Sequence, residues 1–337
     1  MPTPNNETVL VTGGAGYVGA VLVPQLLERG YRVHVLDLYT YGEHVLDAVK
    51  SHPGLRQIKG DIRDPDAVRE AVGGCTHVIH LACISNDPSF ELDPTLGQSI
   101  NFDAFEPLVE ASRAAGVRRF TYASSSSVYG VSDQPDVDED HALHPLTDYS
   151  KFKADCEPIL HARSSADFET LVIRPATVCG YSPRQRLDLT VNILTTHAVE
   201  NRQIKVFGGA QKRPNIHIDD ICRFYVELLS LPAALINGRT FNAGFQNNTV
   251  MQIASTVQKL VESKLGPIKI VTTPSDDNRS YHISSARIES ELGLAPQRTI
   301  EDAVQDLLRA FERGLLPNAM SDERYYNVRL MRRMVMS

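Results

Sequence analysis

The feature that most constrains this fold is a regular alternation of short apolar runs with helical stretches along the first half of the chain. Helices are expected at Tyr17–Arg29 and Phe102–Ala115. The apolar runs have the length and β-branched content of buried strands, and we expect strands at Thr8–Thr12, Arg32–Asp37, Gln57–Lys59, His77–Ala82, Arg119–Ala123 and Leu171–Arg174. Such alternation is typical of an α/β protein with a doubly wound parallel sheet and helices on both faces. The sequence therefore predicts a Rossmann fold.

The second half of the chain has a different pattern, with frequent proline, glycine and polar clusters after about Pro175. Helices are still expected at Asp219–Leu231, Met251–Leu265 and Thr299–Arg313. We interpret residues 1–175 as the Rossmann domain. Residues 176–337 are interpreted mainly as a smaller C-terminal substrate-binding lobe that is interleaved with it.

The composition excludes several functional classes. A net charge of -7 argues against a broad surface for nucleic acid. Five scattered cysteines without Cys-x-x-Cys spacing indicate reduced thiols in a cytoplasmic protein, and no metal site is expected. The N-terminus is polar and no apolar run is long enough to cross a bilayer, so no membrane association is expected.

The turn after the first strand carries three glycines at positions that suit a dinucleotide. Gly13 permits the tight turn, Gly16 lets the backbone approach a pyrophosphate, and Gly19 lets the helix pack closely on the strand. The pyrophosphate would sit at the helix N-terminus, where free N–H groups point towards it. A glycine triplet alone is weak evidence, but here it follows a strand and opens a helix.

Asp37 ends the second strand about 20 residues after the glycines, where an acid commonly holds a ribose hydroxyl. A carboxylate at this position repels a 2′-phosphate, and no arginine follows between Leu38 and Gly42 to receive one. The sequence therefore predicts NAD as the cofactor, in preference to NADP, and makes residues 1–175 an NAD-binding domain.

A candidate catalytic pair lies further along the chain. Tyr149 and Lys153 are four residues apart and would share one face of a helix. A neighbouring ammonium stabilises a phenolate, which can accept a hydroxyl proton as a hydride leaves. Ser125 follows the fifth strand, at the sheet edge where a substrate is expected, and can hydrogen-bond the reacting oxygen.

Together these motifs resemble the extended short-chain dehydrogenase/reductases, and more narrowly the NAD-dependent nucleotide-sugar epimerase/dehydratase family. The resemblance runs from about residue 8 to residue 315. It includes Gly60-Asp61-Ile62, His80-Leu81-Ala82 and the serine run before Val128-Tyr129-Gly130. It implies an NAD-dependent enzyme with Ser125, Tyr149 and Lys153 as its catalytic residues.

The resemblance also implies a set of binding residues. NAD would contact Tyr17 and Val18 in the turn, Asp61 and Ile62 at the adenine, Leu81 and Ala82 near the phosphates and ribose, Lys153 at the nicotinamide ribose, and Pro175 near the nicotinamide. A nucleotide-diphosphate sugar would contact Ser85, Asn86, Ser126, Thr177, Asn192, Arg213 and Arg279. A homodimer through the helices that begin near Phe102 and Tyr149 is implied as well.

The two positions after Ser125 narrow the reaction. Family members that dehydrate a sugar carry an acid pair where this chain has Ser126 and Ser127, and serine is a poor acid and a poor base. The 3,5-epimerase/reductase branch carries a cysteine at the position of Ser127. Hydride chemistry at one carbon is therefore expected.

Three reactions fit that expectation. We favour a 4-epimerase that acts through a transient 4-keto sugar, over a nucleotide-sugar 4-dehydrogenase or a 4-keto-sugar reductase of polysaccharide or glycoconjugate biosynthesis. A non-enzymatic NAD-sensing regulator on the same fold is an alternative of another class, and an NADPH ketoreductase for a small substrate is a further rival. The basic tail from Tyr325 to Ser337 either folds over the site or frays.

Overall fold

The computed structural model describes residues 7–132, 134, 136–275 and 280–336. Within these ranges the chain forms strands β1 Thr8–Thr12, β2 Arg32–Asp37, β3 Leu55–Lys59, β4 His77–His80, β5 Arg119–Ala123, β6 Glu169–Pro175, β7 Thr177–Cys179, β8 Gln203–Phe207, β9 Lys212–His217, β10 Arg239–Ala243, β11 Gln246–Thr249 and β12 Lys269–Thr273.

The α-helices of the same ranges are α1 Gly19–Glu28, α2 Pro65–Val72, α3 Asp87–Phe90, α4 Pro94–Gln98, α5 Phe105–Ala114, α6 Asp148–His161, α7 Thr190–Asn201, α8 Ile218–Leu228, α9 Ala233–Ile236, α10 Val250–Leu265, α11 Ala286–Leu292, α12 Ile300–Glu312 and α13 Asn327–Met336. Short 3₁₀ helices lie at Glu43–Leu46, Ser126–Tyr129 and Glu323–Tyr325, and a π-helical turn at Ser99–Asp103 precedes α5.

Seven strands form a central sheet in the order β10-β6-β5-β4-β1-β2-β3, and every neighbouring pair is parallel. The predicted Rossmann fold is therefore confirmed. The strand order reverses at β1, which lies between β4 and β2. Ligands of doubly wound proteins bind outside the carboxyl ends of the strands at such a reversal, so the turns after β1, β2 and β4 are in position to form a site.

The central strands β1, β4, β5 and β6 are buried on both faces of the sheet. Alternate side chains of a strand point to opposite faces. Accordingly Val9 and Val11 pack with helices α1 and α8, whereas Leu10 packs with α2 and α5. This two-sided core holds the carboxyl ends of the strands in fixed positions relative to each other.

Three features differ from the expectations. The seventh strand, Arg239–Ala243, was not predicted, because its polar residues give no apolar run. It pairs with β6, with Phe241 opposite Ile173. Strand β4 ends at His80, so Leu81 and Ala82 already belong to the following loop. Helix α1 begins at Gly19, two residues later than expected.

The rest of the second half builds two small sheets, β11-β9-β7 and β12-β8. Helices α7, α10 and α12 pack together over them and form a separate apolar cluster. Because β10 returns to the central sheet, the two halves are interleaved, whereas the role of residues 176–337 as mainly a substrate lobe stays a prediction. In the described part of the chain, no helix is long and apolar enough to cross a membrane.

The C-terminal tail does not fray over its described length. Tyr326, Leu330 and Met331 are buried, and Met331 packs against Ile84 and Phe90. Of the two alternatives open at the sequence level, the tail docks on the protein.

Candidate active site

The glycine turn after β1 is shaped by close backbone contacts. Gly13 has a φ of 73°, and a Cβ atom there would lie 2.8 Å from the backbone nitrogen of Ala82. A Cβ atom on Gly19 would lie 2.5 Å from the carbonyl oxygen of Gly13. The turn therefore requires glycine at both positions. It presents the N-terminal turn of α1 at the strand reversal, where a pyrophosphate fits.

The Asp37 carboxylate is joined to this turn. It accepts hydrogen bonds from the backbone N–H groups of Ala15, at 2.9 Å, and of Tyr39, at 2.7 Å. Burial raises the pKa of Asp37, while these N–H donors and the charge of Arg184 oppose the rise. The glycine turn, which we also call the glycine cradle, and the acid at the end of β2 fit the adenosine half of a dinucleotide.

The other predicted cofactor residues lie around the same edge of the sheet. Asp61 is bound by Arg63, whose Nη2 lies 2.6 Å from the carboxylate, and this ion pair lowers the pKa of Asp61. The Tyr17 hydroxyl donates to the carbonyl of Gly180 at 2.7 Å, so its ring reaches into the C-terminal half. Leu81 and Ala82 lie beside Gly13, and Pro175 is the last residue of β6. Ile62 is buried, whereas Val18 is partly exposed.

The three predicted catalytic residues lie together. The Ser125 hydroxyl caps the short helix Ser126–Tyr129 and lies 2.8 Å from the hydroxyl of Ser127. The same hydroxyl acts on the phenol of Tyr149, whose pKa it helps to hold down. Tyr149 is in the first turn of α6, and Lys153 is one turn further along the same helix. The structure therefore forms a Ser–Tyr–Lys group from two separate segments.

Lys153 is buried, and its Nζ atom donates to the carbonyl of Ala123 at 2.7 Å. The same atom lies 4.9 Å from the centre of the Tyr122 ring. Since an ammonium has three donors, this bond leaves two for other acceptors. The ammonium is thus fixed at the end of β5, close to the reacting groups.

The surroundings of the Tyr149 phenol make it a weaker acid than a free tyrosine, because they raise its pKa. Burial raises the pKa of Tyr149 well above its ordinary value of 10.0, and Cys83 and Asp87 act in the same direction. The positive charge of Arg186 and the hydroxyl of Ser125 oppose the rise in the pKa. To accept a proton at neutral pH, the phenol needs additional positive charge nearby, and Lys153 is placed to provide part of it.

A buried polar network supports the serine segment from below, and sequence reasoning missed it. Arg174 forms an ion pair with Glu157 at 2.6 Å and donates to the Tyr129 hydroxyl at 2.7 Å. Glu157 also accepts from Ser124 at 2.5 Å, and Tyr129 donates to Asn242 at 2.7 Å. The network joins five residues that come from five different segments of the chain. No local sequence pattern therefore predicts it.

A pocket of about 250 Å³ opens beside the catalytic group. It includes the predicted substrate residues Asn86, Thr177 and Arg213, and residues that were not predicted as contacts. The full lining is Asn86, Asp87, Pro88, Ser127, Gly130, Val131, Leu146, Thr147, Ser150, Thr177, Arg186, Asp188, Leu189, Thr190, Arg213 and Tyr281. The Arg213 guanidinium lies 5.4 Å from the centre of the Tyr281 ring.

Three predicted substrate residues do not line this pocket. Ser126 is buried, and its neighbour Ser127 lines the pocket instead. Asn192 is fully buried; its side chain accepts from the backbone of Gly180 and donates to the carbonyl of Arg186. Ser85 accepts from Arg186 at 3.2 Å. Arg279 lies outside the described residues.

Arg186 and Asp188 are the main pocket residues that were not predicted individually as substrate contacts. Arg186 Nε lies 3.0 Å from the Asp188 carboxylate, and both side chains are largely buried. They lie in a stretch with a charged residue at every second position, Arg184, Arg186 and Asp188, which was a usable signal. A buried, paired arginine beside a pocket is suited to bind an anionic or hydroxyl-rich ligand.

One other cluster combines potential metal ligands in the described part of the chain, namely His217, Asp219 and Asp306. Arg298 forms ion pairs with Asp219 at 2.7 Å and Asp306 at 3.0 Å. His217 lies 3.0 Å from Asp306 and caps α8. The arginine neutralises the acids, so we assign the cluster as a structural ion-pair group.

Comparisons with known proteins agree with this geometry. The model of the "NAD dependent epimerase/dehydratase family" matches residues 9–244. A dTDP-glucose 4,6-dehydratase of Streptomyces griseus is 29% identical over 307 residues, which cover 88% of this chain and 91% of that protein. A UDP-glucose 4-epimerase of Mycolicibacterium smegmatis is 30% identical over 316 residues, which cover 90% and 97% of the two chains.

A solved structure is similar over nearly the whole chain. DesIV of Streptomyces venezuelae, a dTDP-glucose 4,6-dehydratase with NAD bound, aligns with a TM-score of 0.80 at 25% identity. The alignment covers 91% of this chain and 98% of that one. These similar proteins carry two different named reactions on one arrangement of strands and helices.

Proposed function

The chain belongs to the NAD-dependent epimerase/dehydratase family, and from this we propose that it is a nucleotide-sugar 4-epimerase that acts through a transient 4-keto sugar. An enzyme with NAD as its cofactor is consistent with the family, with the glycine cradle around Gly13 and with the carboxylate of Asp37. The specific reaction rests on the residues around Tyr149.

The observation that carries the proposal is the pair of hydroxyls of Ser125 and Ser127, 2.8 Å apart, beside the Tyr149 phenol. Dehydration removes a proton next to a ketone and expels water, which needs a base and an acid in addition to the tyrosine. Ser126 is buried and Ser127 is hydrogen-bonded to Ser125. Hydroxyls at these positions support oxidation and reduction at one carbon and disfavour dehydration.

In the proposed mechanism the chain moves protons and orients the sugar. NAD held by the turn at Gly13 and by Asp37 would supply the hydride acceptor for C4, and then the hydride donor to the opposite face of the keto sugar. Tyr149 accepts the proton of the sugar 4-hydroxyl and later gives it back, and Ser125 hydrogen-bonds the same oxygen. Lys153, held by Ala123, supplies the positive charge that lowers the pKa of the phenol.

The pocket supports a nucleotide-diphosphate sugar as the substrate. Arg213 is placed to donate to diphosphate oxygens, and a guanidinium binds them in a bidentate manner. Arg186, Asp188 and Thr177 provide donors and acceptors for sugar hydroxyls. The NAD and nucleotide-sugar pools on which such an enzyme draws make the cytoplasm its proposed compartment. A homodimer through α5 and α6 completes the proposal.

A panel assay tests the reaction. The protein is incubated with UDP-, GDP-, CDP- and dTDP-sugars without added cofactor, and the sugars are followed by NMR. We expect a C4 epimer to form without net NADH. Stoichiometric NADH with a keto sugar would show a 4-dehydrogenase instead, and a 4-keto-6-deoxy product would show a dehydratase. If NAD binds but every sugar stays unchanged, the NAD-sensing alternative gains the support that the epimerase loses.

A further inference from the structure

We propose that Asn327 is a positioning residue that fastens the C-terminal tail over the cofactor side and the sugar side of the site at once, and so retains the dinucleotide during turnover. The inference rests on the proposed function for its purpose and on the contacts of residues 180–188 for its geometry. We call residues 180–188 the bridging loop.

The bridging loop lies against the cofactor side. Ser182 donates to the backbone carbonyl of Tyr17 at 2.7 Å, within the glycine turn. The Arg184 guanidinium lies 3.5 Å from the centre of the Tyr41 ring. Its charge acts on Asp37, where it opposes the rise in pKa that burial causes. The loop therefore touches the turn predicted to bind the pyrophosphate and approaches the acid predicted to bind the ribose.

The same loop also forms part of the sugar pocket. Arg186 and Asp188 line it, and Arg186 donates to the Ser85 hydroxyl at 3.2 Å. Ser85 precedes Asn86, which lines the pocket on the other side. A displacement of the bridging loop would therefore change both subsites together.

Asn327 makes polar contacts to each part of this assembly, including a longer one of 3.4 Å to the carbonyl of Ser85. Its Oδ1 accepts from Arg184 at 2.6 Å, its Nδ2 donates to the Ser85 hydroxyl at 3.0 Å, and its backbone N–H donates to Asp188 at 3.0 Å. Asn327 is the first residue of α13, where backbone N–H groups have no partner within the helix. The side chain is buried, so each of these bonds is made away from bulk water.

Further contacts hold the tail in place around Asn327. Leu187 donates to the carbonyl of Tyr325 at 2.9 Å, directly joining the loop to the tail. Tyr326 packs with Leu187, and Met331 joins the apolar cluster that contacts Tyr149. The tail thus closes the bridging loop from outside, and release of a bound dinucleotide requires these contacts to open.

This arrangement suits an epimerase more than a dehydrogenase. An epimerase returns the hydride to the sugar that gave it, so its cofactor must stay bound through both transfers. A dehydrogenase must exchange its cofactor after each turnover. The buried hydrogen bonds of Asn327, which we call the clasp, lie over the cofactor side and favour slow exchange of NAD.

Four variants distinguish the cofactor-side contact of Asn327 from its sugar-side contact. Asn327→Ala removes both side-chain contacts. Asn327→Asp keeps an acceptor for Arg184 but loses the donor to Ser85. Ser85→Ala removes the bonds from Asn327 and Arg186 to the Ser85 hydroxyl, both on the sugar side, and leaves the bond between Asn327 and Arg184. Arg332→Ala changes an exposed residue on the same helix and is the matched control.

The first readout is NAD retention without any sugar, measured as cofactor content after gel filtration and as the rate of NAD displacement by excess labelled NAD. We expect Asn327→Ala to release NAD about tenfold faster than Arg332→Ala, because a buried bond to a charged group is lost. Asn327→Asp and Ser85→Ala should release NAD like the control. Equal rates for Asn327→Ala and Arg332→Ala overturn the inference.

The second readout is the split between KM and kcat. Ser85→Ala, Asn327→Asp and Asn327→Ala should raise the sugar KM several-fold with a smaller change in kcat. A uniform loss of kcat and of thermal stability in Asn327→Ala, with KM and NAD release unchanged, indicates only a structural role and overturns it. If Asn327→Ala does not fold, the raised KM of Ser85→Ala with control-like NAD release is the deciding result. Since NAD retention needs no sugar, this test can succeed even when the panel assay finds no epimer.

Discussion

Lys153 and Ala123 are joined by a hydrogen bond of 2.7 Å from the ammonium to the backbone carbonyl. Ala123 is the last residue of β5, and the chain turns there towards Ser125. Lys153 lies one helical turn after Tyr149. This bond therefore connects the helix that carries the phenol with the end of the strand that leads to the serine. Together with the bond from Ser124 to Glu157 on the same helix, it holds the two halves of the catalytic group at a fixed distance.

The Lys153 bond predicts a sharp difference between two lysines of α6. Lys153→Met should reduce kcat at least about 100-fold, because the positive charge that favours the phenolate is lost. Lys151→Met, which removes an exposed lysine paired only with Asp148, should leave kcat within about twofold. Steady-state kinetics on the epimerised sugar measures both. Similar losses in the two variants would contradict the role of Lys153.

The phenol itself predicts a loss of chemistry without loss of binding. Tyr149→Phe should reduce kcat by about 10² to 10⁴, the usual contribution of a positioned acid or base. NAD binding should be retained, because the glycine turn and Asp37 are unchanged. Turnover is measured by NMR and NAD content by absorbance of the purified protein. Unchanged turnover would show that another group moves the proton.

Asp37 predicts the choice of cofactor. Asp37→Asn should weaken NAD binding about tenfold and narrow the preference against NADP, because the carboxylate that repels a 2′-phosphate is gone. The exposed Asp47→Asn is the control. Calorimetric titration with NAD and NADP gives both affinities. An NAD/NADP ratio equal to that of Asp47→Asn would exclude Asp37 as the discriminating residue.

The buried pair of Arg174 and Glu157 predicts a large effect on stability. Arg174→Met leaves the Glu157 carboxylate buried without its partner and should lower the free energy of unfolding by about 3–5 kcal/mol. Arg56→Met breaks an exposed pair with Glu70 and should cost less than about 1 kcal/mol. Urea denaturation followed by circular dichroism measures both. Equal midpoints for the two variants would contradict the assignment of Glu157 as a buried charge.

His80 predicts how stability depends on pH. Burial lowers the pKa of His80 to about 3, and the Lys153 charge acts in the same direction. At pH values below the ordinary histidine pKa, His80 is therefore protonated in the unfolded chain but stays neutral in the folded chain. Stability should fall as pH decreases from about 6.5 towards 3, by up to about 1.4 kcal/mol per pH unit from this group.

Replacement isolates this contribution. His80→Gln should flatten the pH dependence of the free energy of unfolding below pH 6.5, relative to the wild type, while the exposed His52→Gln should not. Denaturation midpoints at a series of pH values provide the comparison. An unchanged slope in His80→Gln would mean that other groups cause the acid instability.

The parts of the molecule that could be predicted well from the sequence are formed by residues that lie close together along the chain. Gly13, Gly19 and Asp37 belong to one βαβ unit, and Tyr149 and Lys153 share one turn of a helix, so spacing along the chain equals geometry in space. The clasp at Asn327 could not be predicted, because it lies 139 residues from Asp188 in sequence and forms only when the tail docks. Ser126 was preferred over Ser127 for the same reason, since the short helix after Ser125 decides which hydroxyl faces the pocket.

Because β10 lies late in the sequence, the central sheet can be completed only late in synthesis on the ribosome. The sheet is not complete until residues 239–243 have emerged, because this strand covers the outer edge of β6. A nascent chain or fragment that ends near residue 175 would leave that edge open, with its unpaired N–H and C=O groups free to recruit a strand from another molecule. Dissecting the protein at the apparent end of its first domain should therefore give aggregates, and a separable cofactor module would have to carry Arg239–Ala243 with it.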